Sequence, residues 1–172
     1  MAQKPGWQGR FFEDFEAGDV YRCRYGRTIT EAENIQFTLL TNNTNQIHFN
    51  RQYGERSGFG SCLVNSLLTL SVVSGMSVPD VSENGVNLGW EGISLPHPVR
   101  PGDTLYSETE VVTVRESRSR PEQGIVTVET RGFNQEGVLV IELRRNILVW
   151  KRAFAPANDI FPALAGDVAG AG

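Results

Sequence analysis

The sequence predicts an α+β domain in which a strongly curved antiparallel sheet buries one apolar helix. Three observations lead there. Residues 63–76, LVNSLLTLSVVSGM, are apolar on almost every helical face, with only small polar residues between. A helix of that kind belongs in the middle of a structure. From residue 86 onward the chain reads as strands separated by turn signals. Helices placed between one early strand and four late ones give an α+β order, not repeating βα units.

Residues 1–18 form an entry arm, with Gly9, Gly18 and the aromatics Phe11, Phe12 and Phe15 marking a loop or short helix pinned by apolar contacts. Residues 19–29 alternate as a strand. Thr30-Glu31-Ala32-Glu33 is a capping box, with Thr30 as N-cap and Glu33 reaching back. The helix it opens runs through Ile35, Phe37, Leu39 and Leu40. It stops at the Asn/Thr cluster 41–45, whose short side chains compete for backbone hydrogen bonds. His48 therefore falls in a loop beyond that helix. Residues 49–61, with Asn50, Gly54, Gly58 and Gly60, read as a loop with one helical turn, and Pro79 ends the apolar helix that follows.

The strands come next. Residues 86–95 form one, closed by Pro96-His97-Pro98, and Arg100-Pro101-Gly102-Asp103 is a turn. Residues 104–115 form a long strand. Residues 124–133 and 138–151 form a hairpin around Asn134-Gln135-Glu136-Gly137. Trp90 and Trp150 read as strand-packing aromatics. Residues 153–172 are small, aperiodic and rich in Pro and Gly, a tail behind a single domain spanning 1–152.

A chain of 172 residues fits one domain with one core, without help from disulfides or metal. The charged fraction of 21% and hydrophobic fraction of 40% suit a soluble globule. A formal charge of −4 argues against a nucleic-acid partner. No apolar run has the length of a membrane span, and the first residues lack the apolar core of a secretion signal. The two cysteines, Cys23 and Cys62, have neither metal nor redox spacing. A reduced cytoplasm is the expected setting. One basic cluster, RESRSR at Arg115–Arg120, breaks the acidic balance. It reads first as a solvated strand end and second as a contact for an anionic group such as a nucleotide phosphate. The acid–base search narrows to the only two histidines, His48 and His97.

The segment TNNTNQIHFN, residues 41–50, resembles the signature loop of MaoC-like hydratases, which runs Gly-Asp-x-Asn-Pro-Leu/Ile-His. SGFGSCLVNSLLTLSVVSG is similar to the loop and central helix that follow it in that family, and PVRPGDTLYSETEVV to the next turn and strand. GRFFEDFEAGDVY resembles the opening of one branch, so the likeness covers roughly residues 10–152. The resemblance implies the hotdog fold, an antiparallel sheet around a central helix, and a homodimer whose sheet continues across the interface near the active site. It also implies a hydro-lyase that adds water to, or removes it from, an enoyl-CoA thioester, with mesaconyl-CoA and methylmalyl-CoA among the substrate classes. CoA is then part of the substrate, and no metal or redox cofactor is expected.

Carried over by position, the family histidine is His48 and the loop asparagine is Asn45. Ser66 supplies the backbone N–H of the oxyanion site, and Ser74 matches a serine late in the helix. The aspartate position holds Asn43, and the family Gly and Pro positions hold Asn42 and Gln46. An amide can hold water but cannot deprotonate it. Three readings follow: His48 acts alone as base and acid with Asn43 orienting water, or a distant carboxylate such as Glu91 or Asp80 substitutes, or the site only binds acyl-CoA. His97, between two prolines, reads first as a turn-capping residue and second as another ionisable partner. Arg115, Arg118 and Arg120 are CoA contacts on charge alone. The alternatives to a hydratase are an acyl-CoA thioesterase, which the loop disfavours by offering no carboxylate, and a non-catalytic acyl-CoA-binding subunit.

Overall fold

The computed structural model describes residues 4, 6–157 and 162. Its strands are β1 (Val20–Arg22), β2 (Arg27–Thr28), β3 (Gly85–Ser94), β4 (Thr104–Glu116), β5 (Gln123–Phe133) and β6 (Leu139–Trp150). Its helices are α1 (Glu31–Leu40), α2 (Arg51–Arg56), α3 (Ser66–Met76) and α4 (Val78–Val81). All strands join one antiparallel sheet in the order β1-β4-β5-β6-β3, with β2 also on β4. The expected α+β class, with a curved sheet around α3, is what the chain forms. The sheet is open, not a closed barrel.

The early strand is broken. From Arg22 to Arg27 the chain takes five steps, while their partners Glu108 and Leu105 are three apart. The two surplus residues bulge out around Cys23–Gly26. A Cβ on Gly26 would lie 2.6 Å from the Tyr106 ring, so only glycine fits where the strand resumes. The hairpin at 134–137 forms as expected. Gly137 has φ +76°, and the Asn134 side chain accepts from the Glu136 and Val138 amides.

The sheet's concave face carries two clusters. Near the start of β4, Leu68 and Val73 of α3 pack with Ile29, Val64, Val99, Leu105, Ile141 and Leu143. Further along, Phe12 and Phe15 of the entry arm pack on Val81, Val111, Val126, Val128, Ile147 and Val149. Two glycines permit this closeness. A Cβ on Gly132 would lie 2.7 Å from Val73 of α3, and one on Gly124 would lie 2.0 Å from the Phe12 ring.

α3 is buried on one side only. Leu68, Thr69, Val73, Ser74 and Met76 face the sheet, while Ser66, Leu67, Ser71 and Gly75 face outward. The apolar composition led us to expect cover all round, but an open sheet reaches only half of the helix. Pro79 does not simply end it. It occupies the first turn of α4, where its missing N–H costs nothing.

The entry arm is tied at several points. The Arg10 guanidinium lies over the Trp7 and Tyr21 rings and pairs with Asp80 at 2.7 Å. Beyond β6, Arg152 pairs with Asp14 and its amide donates to Glu13. The expected tail, 153–172, falls outside the described residues from 158 on except for Pro162. Among the described residues no helix is long and apolar enough to cross a membrane.

Candidate active site

The capping box that starts α1 is present in full: the Glu33 amide donates to Thr30 Oγ1, and the Thr30 amide donates to Glu33. The end of α1 shapes the loop that follows. The Asn42 amide donates to the Leu39 carbonyl and the Asn43 amide to the Thr38 carbonyl, with Asn42 at φ +56°. This is a Schellman termination with Asn42 in its left-handed position, where glycine or asparagine is most at ease. Asn43 Oδ1 accepts from the Asn45 amide at 3.0 Å. Asn45 in turn caps a 3-10 turn, Gln46–His48, through the Ile47 amide. Gln46 is the first residue of that turn, a place where proline is tolerated. His48 thus ends a short helical turn, where a plain loop was expected.

His48 is half-buried, and its Nδ1 lies 3.1 Å from the Leu63 carbonyl oxygen. A carbonyl can only accept, so Nδ1 carries the proton in the neutral ring and Nε2 is left with its lone pair. Among the described residues no carboxylate lies within ion-pairing distance of His48. The substitutes considered above are occupied elsewhere. Asp80 pairs with Arg10, Glu91 accepts from Asn146, and His97 Nδ1 meets the Leu139 carbonyl.

Asn34, a residue that sequence reasoning missed, organises this region. It is fully buried on α1. Its Nδ2 donates to the His48 carbonyl at 2.8 Å and the Leu63 carbonyl at 3.0 Å, and its Oδ1 accepts from the Asn65 amide at 2.8 Å. One side chain therefore ties the histidine, the carbonyl that orients it and the N-cap of α3. Thr38, one turn on and also fully buried, accepts from Asn65 Nδ2. The available signal was the i, i+4 pair of small polar residues on α1, while its apolar Leu39 and Leu40 point to solvent.

Ser66 is the first residue of α3, so its N–H has no intrahelical acceptor. The short segment 63–66 thus holds both the carbonyl that fixes His48 and a free helix-start amide. Ser74 is buried near the far end of α3, and its hydroxyl has no partner among the described residues. A cleft of about 500 Å³ runs beside the same segment, lined by Thr30, Glu31, Arg51, Ser61, Cys62 and Arg100 among others. Arg51 pairs with Glu31 there, and Arg100 donates to Ser61 and to the Phe59 carbonyl. Burial pushes the Cys62 thiol up from its ordinary pKa, with Glu31 adding to the effect. Arg115, Arg118 and Arg120 lie elsewhere. From Leu105, beside the Val64–Val99 contact, ten residues of β4 lead to Arg115, roughly 33 Å of strand.

A MaoC-like domain model matches residues 14–132. The chain belongs to the MaoC-like family. Over 94% of its length this MaoC-like chain is 36% identical to the mesaconyl-CoA hydratase of Cereibacter sphaeroides, and over 93% it is 34% identical to the beta-methylmalyl-CoA dehydratase of Chloroflexus aurantiacus. It spans about half the length of these curated relatives, 48% and 46% respectively. In fold, it superposes with a TM-score of 0.77 on a Mycobacterium tuberculosis protein with a double hotdog fold. That match is 21% identical and covers 91% of this chain and 47% of the other.

Proposed function

We propose that this MaoC-like domain is a hydro-lyase acting on enoyl-CoA thioesters, with branched dicarboxylic substrates of the mesaconyl-CoA and methylmalyl-CoA type as its class. The single observation that carries the reading is the pairing of His48, its Nδ1–H held on Leu63, with the unused amide of Ser66. The names of the two curated relatives support the substrate class.

In the hydration direction, His48 Nε2 takes a proton from water as the water oxygen bonds to the β-carbon. The double-bond electrons move toward the thioester, whose oxygen gains negative charge. The Ser66 N–H at the positive end of α3 stabilises that charge. The proton on Nε2 then passes to the α-carbon, which completes the addition and restores the base. One histidine serves as base and acid, so no carboxylate is required. Asn43 and Asn45 orient water and substrate. No metal or redox cofactor enters this scheme. Arg51 and Arg100, beside the His48 segment, are better placed for CoA phosphates within one chain than Arg115, Arg118 and Arg120.

We further infer a homodimer formed through β3. Among the described residues that strand has one neighbour, β6, and its Val86, Leu88, Trp90 and Ile93 are exposed. A long apolar edge is a template for antiparallel pairing with a second copy.

The test is loss of the conjugated-thioester absorbance with crotonyl-CoA and mesaconyl-CoA. His48→Ala is expected to lower turnover at least about 100-fold. No turnover on any enoyl-CoA, with CoA binding intact, would sink the hydratase reading. It would favour an acyl-CoA-binding subunit instead, a rival supported by the lack of a carboxylate at His48 among the described residues. Release of free thiol would identify a thioesterase.

A further inference from the structure

We propose that Asn43 and Asn45 set the charge specificity of this site, admitting an acyl chain that carries a carboxylate on its β-carbon. The inference rests on the hydratase reading above. Both residues bond through their side-chain oxygens only. Asn43 Oδ1 accepts from the Asn45 amide at 3.0 Å, and Asn45 Oδ1 accepts from the Ile47 amide at 3.3 Å. Neither Nδ2 has a partner among the described residues. Asn50 and Asn65, which cap α2 and α3, differ: each also donates its Nδ2, to Gln46 and Thr38 respectively. An aspartate at 50 or 65 would lose a bond. One at 43 or 45 would keep every bond the side chain makes now, because a carboxylate oxygen serves these turns as well as an amide oxygen does. Turn formation therefore does not account for two neutral side chains here. What sets them apart from aspartate is a free N–H donor and the absence of charge.

The place of these amides decides what they meet. Asn43 holds the backbone of Asn45, and Asn45 caps the turn that ends in His48, whose own amide donates to the Asn45 carbonyl. The pair thus belongs to the same few residues as the base. Both side chains can be reached from solvent, since Asn43 is half-buried and Asn45 exposed. In a four-carbon dicarboxylic enoyl thioester the free carboxyl is bonded to the β-carbon, about 1.5 Å from the atom that water attacks. Water held by His48 Nε2 therefore approaches beside that carboxylate. A loop group that orients the water meets the carboxylate too.

Charge then separates two substrate classes. A carboxylate on the loop would repel the substrate's own, and in a partly covered site water screens that repulsion incompletely. An amide N–H donates to the same group instead. Specificity is a difference between two affinities, and here it comes from leaving out a repulsive charge. The surroundings agree. Among the described residues no carboxylate pairs with His48. The neighbouring cleft sets Arg51 and Arg100 beside Glu31 and Glu55, so it adds no net negative charge. An enoyl chain without the second carboxylate gains nothing from this arrangement.

The test compares kcat/KM for mesaconyl-CoA, which carries the extra carboxylate, with that for crotonyl-CoA, which does not. Wild type should favour mesaconyl-CoA. Asn43→Asp and Asn45→Asp keep each turn bond while adding charge, so they separate charge from structure. Asn43→Asp should lower the mesaconyl-to-crotonyl ratio about 10- to 100-fold, and Asn45→Asp several-fold, because the more exposed position is better screened. Raising the ionic strength to about 1 M should recover part of the ratio in both variants relative to wild type at the same salt. Asn43→Ala removes the donor without adding charge. It should lower the ratio less, and it stands as the test if Asn43→Asp does not fold. An unchanged ratio in Asn43→Asp, or a parallel fall on both substrates, would mean that the asparagines only shape the turn and would overturn the proposal. So would a wild type that hydrates crotonyl-CoA and ignores mesaconyl-CoA, a result that leaves the hydratase reading standing. A wild type inert toward both substrates overturns the hydratase reading itself.

Discussion

At the scale of single residues, the His48 loop shows what a contiguous motif reveals and what it hides. Ten adjacent residues were enough to single out His48, Asn43 and Asn45 as candidates, because the capping bonds that hold this loop are local. Asn34 was not legible, because its three partners lie 14, 29 and 31 residues away and its value appears only when α1 packs on the loop. Asn34→Ala removes both the tether on the His48 carbonyl and the acceptor for Asn65. We expect kcat to fall on the order of 100-fold with a smaller change in KM, since misplacement by about 1 Å is worth that much. Steady-state kinetics check this, and equal losses in melting temperature and activity would argue for simple unfolding instead.

At the scale of elements, local signals were read well where side chain and backbone act within a few residues. The α1 capping box is such a case. Burial works against the Glu33 charge, but the Thr30 amide, Arg27 and the Thr30 hydroxyl outweigh it and hold the carboxyl below its usual range. A carboxyl with a depressed native pKa stabilises fully above the unfolded value, about 4.3, and loses that contribution as pH falls through the lower native value. Thr30→Ala should cost about 1 kcal/mol at pH 7. Glu33→Gln should be destabilising at pH 7 and nearly neutral near pH 2, which denaturant melts at the two pH values would show. Helix α1 also shows the limit of hydrophobic patterning, since its inward residues are Asn34 and Thr38 while Leu40 is 82% exposed. The broken first strand was equally unreadable, because its bulge is set by the Tyr106 ring on the facing strand. Gly132→Ala should cost roughly 1–3 kcal/mol by driving Val73 and α3 off the sheet, measurable by chemical denaturation.

At the scale of the molecule, the architecture was legible because its parts agree: an apolar helix, four successive strands and turns with the right chemistry between them. The half-open face of α3 was not, because sequence records that a residue is apolar without recording what covers it. Leu88, 54% exposed on β3, tests the β3 interface we infer. Leu88→Lys should shift the protein from dimer to monomer at micromolar concentration in sedimentation. A variant that stays dimeric would place the interface elsewhere.

The clasp between Arg152 and the Asp14–Glu13 turn has a topological consequence. It brings the entry into the first helical turn and the exit from the last strand side by side, so the folded path is nearly a ring. A short peptide could join these points, and new termini could open at the exposed turn 134–137 without unthreading a strand.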